Sequence, residues 1–469
     1  MKQYRYEEFT VIIEAQIKEG VYKPGHKLPS VRALMRKYAM STGAVQQGFD
    51  YLMSKGLVES IHKSGYYVAN LPENQVNISI SKRNPVVRDA VFKHKLSQVT
   101  ASGNGRNGLT EFNVAAPGDL LIPQKMILRT MQQVIREHGA GLLRYYPSTG
   151  SEELKHNICK HSAHYNARLN TDEMIITDGA LQALYIALVS SCSPGDVVAV
   201  ESPCVFSILQ VIKTLQLKVI EVPMDFQTGF DIGYLKKACS VVKIKAIIVT
   251  PNFQNPTGIV LSDDQKKQLL AEAQYQGIAI IENDIYGDLN FTGQRPSNLK
   301  SFDESGLVMT YSSYAKTLAA GIRLGWLSAG QFFQKAEQVK FSTGSTVSPV
   351  YQETVNKLLN SNSYDRHIRT FRTQLSKNAY HTVNLLTTYF PKGTRMVIPA
   401  GGYNLWVKLS DEINIKDFYL HCDQVGVKFT PGETFSFSSD FKRFFRIVFA
   451  DQYSEKRIEG LKLAGKGIL

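Results

Sequence analysis

Cysteine is scarce in this chain: there are five cysteines in 469 residues, and no two of them form a Cys-x-x-Cys pair. They lie far apart, at Cys159, Cys192, Cys204, Cys239 and Cys422. An odd number at scattered positions signals neither a disulfide framework nor a zinc site. We therefore expect buried or free thiols and no bound metal.

Long apolar runs are also missing, so the sequence predicts no membrane span. The first ten residues, MKQYRYEEFT, carry acids and contain neither an apolar signal core nor a small-residue cleavage site. This pattern argues against secretion. We expect a cytoplasmic protein with no membrane partner.

The length and the charge of the chain indicate more than one domain. A chain of 469 residues exceeds the size at which one hydrophobic core stops growing. The net charge of +13 is unevenly distributed, because residues 1–110 contain 16 Lys and Arg against 8 Asp and Glu. This asymmetry indicates a polyanionic partner for the N-terminal part, although a basic surface that only confers solubility explains it equally well.

The N-terminal part has the pattern of three short helices. Residues 4–20 show helical apolar spacing that ends at a glycine, Ser30 can cap a second helix, and Ser41 with Thr42 can cap a third. Residues 39–40 form the tight turn between the last two helices, as in a helix-turn-helix. Residues 57–61 and 65–68 then alternate like two strands around a turn, which predicts a wing.

Several short motifs in this stretch resemble the GntR family of regulators. They are Pro24-Gly25, Leu28-Pro29-Ser30, Arg32, Gly56-Leu57-Val58 and Gly65-Tyr66-Tyr67-Val68. The resemblance implies a winged helix-turn-helix DNA-binding domain over residues 1–70 and a double-stranded DNA operator as partner. It places at the DNA interface Arg32, Arg36, Ser41, Thr42, Gln46, Gln47, Lys63 and Ser64.

These residue types suit DNA, with one departure from the family. Gln can bond bidentately to adenine, while hydroxyls and Lys can hold phosphates. Many relatives carry arginines where this chain has Thr42 and Gln46, which puts guanine contacts in doubt. The alternative is a three-helix module that binds a protein instead.

Residues 71–110 show no sustained periodicity and contain several Asn, Ser and Gly. We interpret them as a linker, with a short helix around residues 86–96. Their basic side chains either touch DNA or keep the linker solvated, and we favour solvation.

From Phe112 onward, helical patterns alternate with short apolar runs. The runs lie at residues 174–177, 197–200, 217–220, 246–250, 278–281 and 307–310. Strands buried on both faces have this pattern, so we predict a largely parallel sheet flanked by helices, with ligands at the carboxyl ends of the strands.

The segments after four of these runs carry unusual residues. Residues 177–182 open a helix after a glycine, a geometry that either binds a phosphate or only serves the turn. Residues 251–258 and 282–287 follow two further runs. Residues 312–326 place Lys316 among apolar and small side chains, where a lone lysine is usually a surface residue.

Together, in order and spacing, these segments resemble the fold-type I pyridoxal-phosphate aminotransferases over residues 112–469. The resemblance implies that Lys316 binds pyridoxal 5'-phosphate as a Schiff base and that Asp284 pairs with the pyridine nitrogen. Such a lysine has a lowered pKa, and such a carboxylate keeps the ring nitrogen protonated. The other implied cofactor ligands are Asn255 and Tyr286 for the phenolic oxygen, and Ser313, Arg323 and the amides of Ala180 and Leu181 for the phosphate.

Two further residues are implied by the same resemblance. Tyr145 corresponds to a tyrosine that reaches the phosphate of the neighbouring subunit, which implies a homodimer. Arg446 would bind a substrate carboxylate through two parallel hydrogen bonds, although an exposed strand arginine without a ligand is the alternative. Residues 401–406, 431–432 and 445–449 match the small subdomain of the family, which we expect over about residues 340–469.

One position departs from the aminotransferase pattern. The family usually places an aromatic ring over the cofactor at the position of Val205, and here the aromatic residue, Phe206, comes one position later. Either Phe206 replaces that ring or the stacking is weaker.

The combined pattern resembles the MocR subgroup of bacterial regulators. It implies a winged helix-turn-helix followed by an α/β fold-type I aminotransferase-like domain over residues 111–469, with a small C-terminal α+β subdomain. Members are described as sensing pyridoxal phosphate or an amino compound, and as forming head-to-tail dimers in which each DNA-binding domain packs on the partner's large domain. The alternatives are a working aminotransferase with an accessory DNA-binding domain, since no catalytic position is lost, and a cofactor store or delivery protein.

Overall fold

The computed structural model describes residues 5–61, 64–69, 84–91, 110–225, 228–344, 346–438 and 440–466. Its helices are α1 (Arg5–Lys18), α2 (Val31–Tyr38), α3 (Thr42–Ser54), α4 (Gln124–His138), α5 (Glu152–Ser162), α6 (Gly179–Ser191), α7 (Phe206–Thr214), α8 (Ile232–Val241), α9 (Asp263–Gln276), α10 (Phe333–Ser342), α11 (Pro349–Leu359), α12 (Asn362–Tyr389), α13 (Ile415–Gln424) and α14 (Glu455–Lys466). Short 3-10 turns lie at Gly139–Leu143, Ala163–Tyr165, Thr171–Glu173, Leu299–Phe302, Ala320–Ile322, Gly330–Phe332 and Gly432–Phe435.

The strands are β1 (Val58–Ile61), β2 (Gly65–Val68), β3 (Arg88–Asp89), β4 (Thr110–Glu111), β5 (Met174–Asp178), β6 (Val197–Ser202), β7 (Lys218–Asp225), β8 (Gly229–Phe230), β9 (Ile244–Val249), β10 (Ala279–Asn283), β11 (Val308–Ser313), β12 (Leu324–Ser328), β13 (Arg395–Met396), β14 (Asn404–Lys408), β15 (Val427–Lys428), β16 (Thr430–Pro431) and β17 (Phe444–Val448).

Helices α1–α3 and the antiparallel hairpin β1–β2 form the N-terminal domain, hereafter the reader. The backbone N–H of Ala33 donates to Ser30 Oγ and that of Ala44 to Ser41 Oγ, each at 3.2 Å, so both predicted caps start their helices. The apolar faces of the helices and the hairpin pack into one small core that includes Phe49. The predicted winged helix-turn-helix is confirmed.

The large domain is built on one mixed sheet with strand order β3-β7-β6-β9-β10-β11-β12-β5 and β8 paired to β7. All six predicted strands are present within it. Strands β7, β6, β9, β10 and β11 run parallel, which puts their carboxyl ends at one edge. The antiparallel strand β12 was not predicted, and it separates β11 from β5.

The short helix expected around residues 86–96 is wrong for the part that the structure describes. Residues 84–91 are extended there, and β3 pairs antiparallel with the edge strand β7 through Arg88 and Val219. The physical reason is that backbone hydrogen bonds to an open sheet edge compete with those of a helix. Residues 92–96 lie outside the described residues.

The small subdomain has an antiparallel sheet in the order β13-β14-β17-β16. It packs with α12, α13 and α14 around an aromatic core that includes Phe418, Phe429 and Phe445. Strand β4 pairs parallel with β15, which ties the start of the large domain to this subdomain. Strand β17 carries Arg446 from this layer towards the large sheet.

The reader contacts the long helix α12 of its own chain. Asp50 on α3 accepts a hydrogen bond from Lys377, and Glu59 on β1 accepts one from Asn384. Gly56 lies directly against the Tyr380 ring. A cleft of about 1050 Å³ remains between the reader, α12 and α14 beside these contacts.

Among the described residues no helix is both long and apolar enough to cross a membrane. The five cysteines are free thiols, and Cys192, Cys204 and Cys422 are buried.

Candidate cofactor site and DNA interface

The residues expected to bind the cofactor gather at the carboxyl ends of β10 and β11. Asp284 directly follows β10, and Lys316 lies three residues after β11. Because these strands pair in parallel, the two side chains share one edge of the sheet. Asn255 comes from the loop after β9, and Arg446 reaches the same place from β17.

Lys316 is partly buried, and its Nζ donates to the carbonyl oxygen of Ala115. Burial lowers the pKa of Lys316 to about 8, and the positive charges of Arg446 and Arg323 act in the same direction. The Tyr403 hydroxyl donates to the main-chain oxygen of Lys316 and holds the turn in place. An amine with this pKa is partly neutral near pH 8 and can condense with an aldehyde.

Only one oxygen of the buried Asp284 carboxylate has a partner. Oδ2 accepts a hydrogen bond of 2.7 Å from Arg295 Nη2, whereas Oδ1 has no partner among the described residues. A buried carboxylate oxygen without a donor is costly. The protonated nitrogen of a pyridine ring is such a donor, so this free oxygen fits pyridoxal phosphate.

Asn255 connects the two residues expected around the phenolic oxygen to Arg446. Its Nδ2 donates to Tyr286 Oη at 3.3 Å, and its Oδ1 accepts from Arg446 Nη1 at 3.1 Å. Burial raises the pKa of Tyr286, and the charge of Arg446 opposes this effect. The hydroxyl therefore remains protonated near neutral pH and can donate to an oxygen anion.

Arg446 is a buried cation without a carboxylate partner among the described residues. Its Nη2 donates to the carbonyl oxygen of Asn113 at 2.6 Å and to Thr430 Oγ1 at 3.1 Å, while its Nε has no partner. Burial lowers the pKa of Arg446 to about 10. Since the residue is 1% exposed, the alternative of an exposed strand arginine is wrong. An uncompensated buried guanidinium suits a carboxylate ligand.

The expected phosphate ligands lie around the N-terminus of α6. A Cβ at Gly179, which has φ +71°, would lie 2.8 Å from Arg323 Nη2, so glycine lets the guanidinium approach this helix end. Arg323 also pairs with Asp178 through Nε at 3.3 Å. Ser313 is close by in sequence and donates to the Leu324 carbonyl oxygen at 2.9 Å. Free N–H groups of a first helical turn beside an arginine suit a phosphate dianion.

Tyr145 and Phe206 lie at the margins of this arrangement. Tyr145 is 93% exposed, so its ring is accessible to another chain. Phe206 is half-buried at the start of α7, with its ring 6.1 Å from the Phe435 ring and 6.0 Å from the guanidinium carbon of Arg446. Its ring thus faces the arginine side of the site, and its stacking on the cofactor stays a prediction.

Sequence reasoning missed several residues that support this site. Arg295 binds Asp284 from a loop eleven residues further along, and no motif marked it. Asn113 and Ala115 contribute only main-chain oxygens, which residue identity does not predict. Tyr403 lies within residues 401–406, which matched the small subdomain of the family, and a tyrosine in that segment was the one signal that could have identified it.

The expected DNA-contacting residues form an exposed face of the reader. Those that lie on the surface along α2, at the start of α3 and in the wing are Arg32, Arg36, Ser41, Thr42, Gln46, Gln47 and Ser64. Ser64 Oγ is 2.7 Å from Tyr67 Oη, which fixes the wing hydroxyl. Lys63 lies outside the described residues.

Two units with separate cores therefore share this chain: a winged helix-turn-helix of the regulator type and a domain with the aminotransferase fold. The chain belongs to the aminotransferase class I and II family, which matches residues 116–461, and residues 5–68 match the bacterial regulatory proteins of the gntR family. This fusion is the arrangement of the MocR-type regulators. The aminotransferase class I and II fold implies pyridoxal phosphate as the cofactor, and the gntR domain implies DNA binding.

Similar proteins include both regulators and enzymes. The chain is 30% identical over 467 residues to an uncharacterized HTH-type transcriptional regulator, YjiR, of Escherichia coli, covering 99% of this chain and 98% of the relative. It is 27% identical over 353 residues to aromatic-amino-acid aminotransferase 1 of Thermococcus litoralis, covering 74% and 84%. The crystal structure of a multiple substrate aminotransferase from Thermococcus profundus matches with a TM-score of 0.72 at 24% identity, covering 77% and 91%, which shows the shared fold.

Proposed function

We propose that this regulator holds pyridoxal phosphate at Lys316 and senses the cofactor itself or an amino compound that carries a carboxylate. The reader binds a double-stranded operator, and occupancy of the large domain changes its affinity for that operator. The protein acts in the cytoplasm, with a linker over residues 71–110 between the reader and the large domain.

Each part of the cofactor has residues suited to hold it. Lys316 provides the amine, the free Oδ1 of Asp284 accepts from the ring nitrogen, and Tyr286 with Asn255 binds the phenolic oxygen. The phosphate is bound by Ser313, Arg323 and the amides of Ala180 and Leu181. When bound, the cofactor supplies an aldehyde and an electron-withdrawing ring.

The chain's own groups then select the effector. Arg446 binds its carboxylate, because this buried cation has no acidic partner among the described residues. Lys316, with its pKa lowered to about 8, can hold or release a proton next to the bound amine. An amine without a carboxylate leaves the Arg446 charge uncompensated and binds more weakly.

The observation that carries the regulatory function is the double contact of α12. Near its start, His367 Nε2 donates to the carbonyl oxygen of Thr317, next to Lys316, at 2.7 Å. Ten residues further on, Lys377 bonds Asp50 on the recognition helix α3. At 1.5 Å rise per residue, roughly 15 Å of one rigid helix separates the two contacts. A ligand that moves the Lys316 turn therefore acts on a helix that also holds the reader.

We further propose a head-to-tail homodimer. The exposed Tyr145 is available to the phosphate site of a second chain. The surfaces of the reader and α12 that meet within one chain would meet between chains in such a dimer. A ligand would then act by favouring one dimer arrangement over the other, since equal affinity for both would shift nothing.

The test uses the full chain and the DNA upstream of its own gene. The visible spectrum is recorded with pyridoxal phosphate for the wild type and for Lys316→Ala, and operator binding is measured with and without cofactor and candidate amino acids at fixed salt. We expect a cofactor band that Lys316→Ala abolishes, and an operator Kd that depends on the ligand. A colourless wild type in excess cofactor would refute the cofactor assignment, and a ligand-independent Kd would refute the sensing function.

A second function is favoured by the intact chemical constellation of Lys316, Asp284 and Arg446. These groups permit proton abstraction from an amino acid, so a working aminotransferase is the alternative. Steady turnover with an amino donor and a keto acid, without sequence-selective DNA binding, would support it.

A further inference from the structure

Arg295 makes an unusual contact on the ring-nitrogen side of the site. Its guanidinium donates from Nη2 to Asp284 Oδ2 and from Nε to Asp288 Oδ1, each at 2.7 Å. The Tyr165 ring covers it, with 3.4 Å between the guanidinium carbon and the ring centroid. Its side chain is 10% exposed and that of Asp284 is fully buried, so water screens this ion pair little.

The other charged groups around Asp284 do not replace this contact. Glu282, Lys266 and Tyr165 interact with Asp284, while His161 and Arg372 interact with Asp288, the second carboxylate that Arg295 binds. Burial, together with the charge of Asp284, raises the pKa of Glu282 and so disfavours a second negative charge beside Asp284. Burial lowers the pKa of Lys266, whose Nζ bonds Asn252 and the Ser297 carbonyl oxygen. Among the described residues, Arg295 is the cation that bonds the Asp284 carboxylate directly.

The close packing fixes this arrangement. A Cβ at Gly287 would lie 2.5 Å from the Arg295 guanidinium and 2.5 Å from Asp284 Oδ1, so the glycine leaves room for both groups. Asp284 Oδ1 has no hydrogen-bond partner among the described residues, while Arg295 compensates the charge at Asp284 Oδ2. One carboxylate is thus set between a permanent cation and the place expected for the ring nitrogen.

We propose that Arg295 is a positioning residue that shares the Asp284 carboxylate with the ring nitrogen and thereby weakens the hold of that nitrogen on its proton. This inference rests on the proposed function, because it requires pyridoxal phosphate in the site. Part of the negative charge of Asp284 is compensated by Arg295, so less remains to stabilise a protonated ring. A ring that is less protonated withdraws electrons less strongly, which slows proton loss from a bound amino compound. The site then retains its ligand as a sensor should, rather than turning it over.

The test measures the protonation of the ring nitrogen directly. The full-length protein is loaded with pyridoxal phosphate labelled with ¹⁵N in the ring, and the ¹⁵N chemical shift is followed from pH 6 to pH 9. We expect the wild-type ring nitrogen to lose its proton within this range, and Arg295→Met to raise its apparent pKa by at least about one unit. Arg295→Lys, which keeps the charge, should restore most of the wild-type titration.

Two further variants separate charge from folding. Arg369→Met removes an exposed arginine from the same cleft without touching Asp284, so its titration should match the wild type. Arg295→Met combined with Asp288→Asn removes the carboxylate that the arginine leaves behind, and serves if the single variant does not fold. Its ring-nitrogen pKa should still be raised, by a smaller amount, because the lost charge of Asp288 lies farther from the ring than the direct partner of Asp284. A wild type that binds cofactor but keeps its ring nitrogen protonated up to pH 9 would overturn the inference alone, and so would an Arg295→Met protein whose ring nitrogen titrates as in the wild type. A wild type that takes up no cofactor would instead overturn the proposed function.

Discussion

Lys377 of α12 donates from Nζ to Asp50 Oδ1 on α3, and so joins the third helix of the reader to the helix that contacts the turn of Lys316. The two side chains are 23% and 49% exposed, so water screens the pair. Pairs of this kind contribute about 0–1 kcal/mol to stability. Its effect should therefore be on the orientation of the reader more than on folding.

Removing this ion pair is expected to uncouple the reader from the large domain. In Lys377→Ala and in Asp50→Ala, the ratio of operator Kd values with and without effector should move towards one, and the double variant should add little to either. Amide exchange in residues 50–56 should accelerate. Lys392→Ala, which removes an exposed lysine remote from the reader contact, is the control. An unchanged Kd ratio in both single variants would contradict the coupling.

Gly56→Ala should displace the reader from α12. Gly56 has φ +69°, and a Cβ there would lie 2.2 Å from the Tyr380 ring. We expect the free energy of unfolding to fall by about 1 kcal/mol because alanine disfavours the left-handed backbone conformation, and to fall further because of the steric clash. Adding Tyr380→Ala should remove the steric part and leave the backbone part, as measured by thermal unfolding of the reader. If Tyr380→Ala gives no recovery, the two residues are not in contact.

Arg446→Gln should remove discrimination for carboxylates. Because Arg446 is buried without an acidic partner among the described residues, we expect the affinity for an amino acid to fall on the order of a hundredfold. The affinity for the corresponding decarboxylated amine should change far less. Titration of both ligands against the cofactor absorbance measures this difference, with Arg395→Gln on the edge strand β13 as control. Equal losses for the two ligands would exclude Arg446 as the carboxylate-binding residue.

Cofactor uptake by the apo protein should follow the ionisation of Lys316. Because burial and two nearby arginines lower its pKa to about 8, the neutral amine that attacks an aldehyde accumulates as the pH rises through 8. The rate constant should rise about tenfold between pH 7 and pH 9 and then level off. Arg446→Gln removes one of the two positive charges, so it should shift the midpoint upward. A rate that keeps rising beyond pH 10 would show an unperturbed lysine.

Residues of the reader should divide into phosphate and base contacts. Arg32 is exposed near the start of α2, and Arg32→Ala should weaken binding to all sequences and reduce the slope of log K against log salt by about 1. Gln46 is exposed on α3, and Gln46→Ala should relax preference at one base pair at a cost of about 1–3 kcal/mol. Fluorescence anisotropy with operator and scrambled DNA distinguishes the two. Identical sequence profiles for wild type and Gln46→Ala would exclude base reading by that residue.

Much of the fold could be predicted from the sequence because it depends on neighbours in the chain. Ser30 and Ser41 start their helices through bonds to residues three positions away, and the apolar runs at β5, β6, β7, β9, β10 and β11 were visible as strands. The segment around Lys316 was informative only together with residues 177–182, 251–258 and 282–287, through their joint resemblance to the aminotransferases, since a lone lysine in such a setting is usually a surface residue. By contrast, a helix was expected where β3 lies. The strand that pairs with β3, β7, lies more than a hundred residues further along the chain, so the local sequence does not reveal the pairing.

From the sequence alone, most of the helices and strands could be predicted, together with their order and the residue types that suit an aldehyde cofactor and DNA. Tertiary structure decided which of these residues meet. It brings Arg446 against Asn255 from 191 residues away, gives Asp284 its partner Arg295, and sets Asp50 on Lys377. Local hydrogen bonds and apolar periodicity act over a few residues, whereas these contacts arise only once separate layers have packed and excluded water.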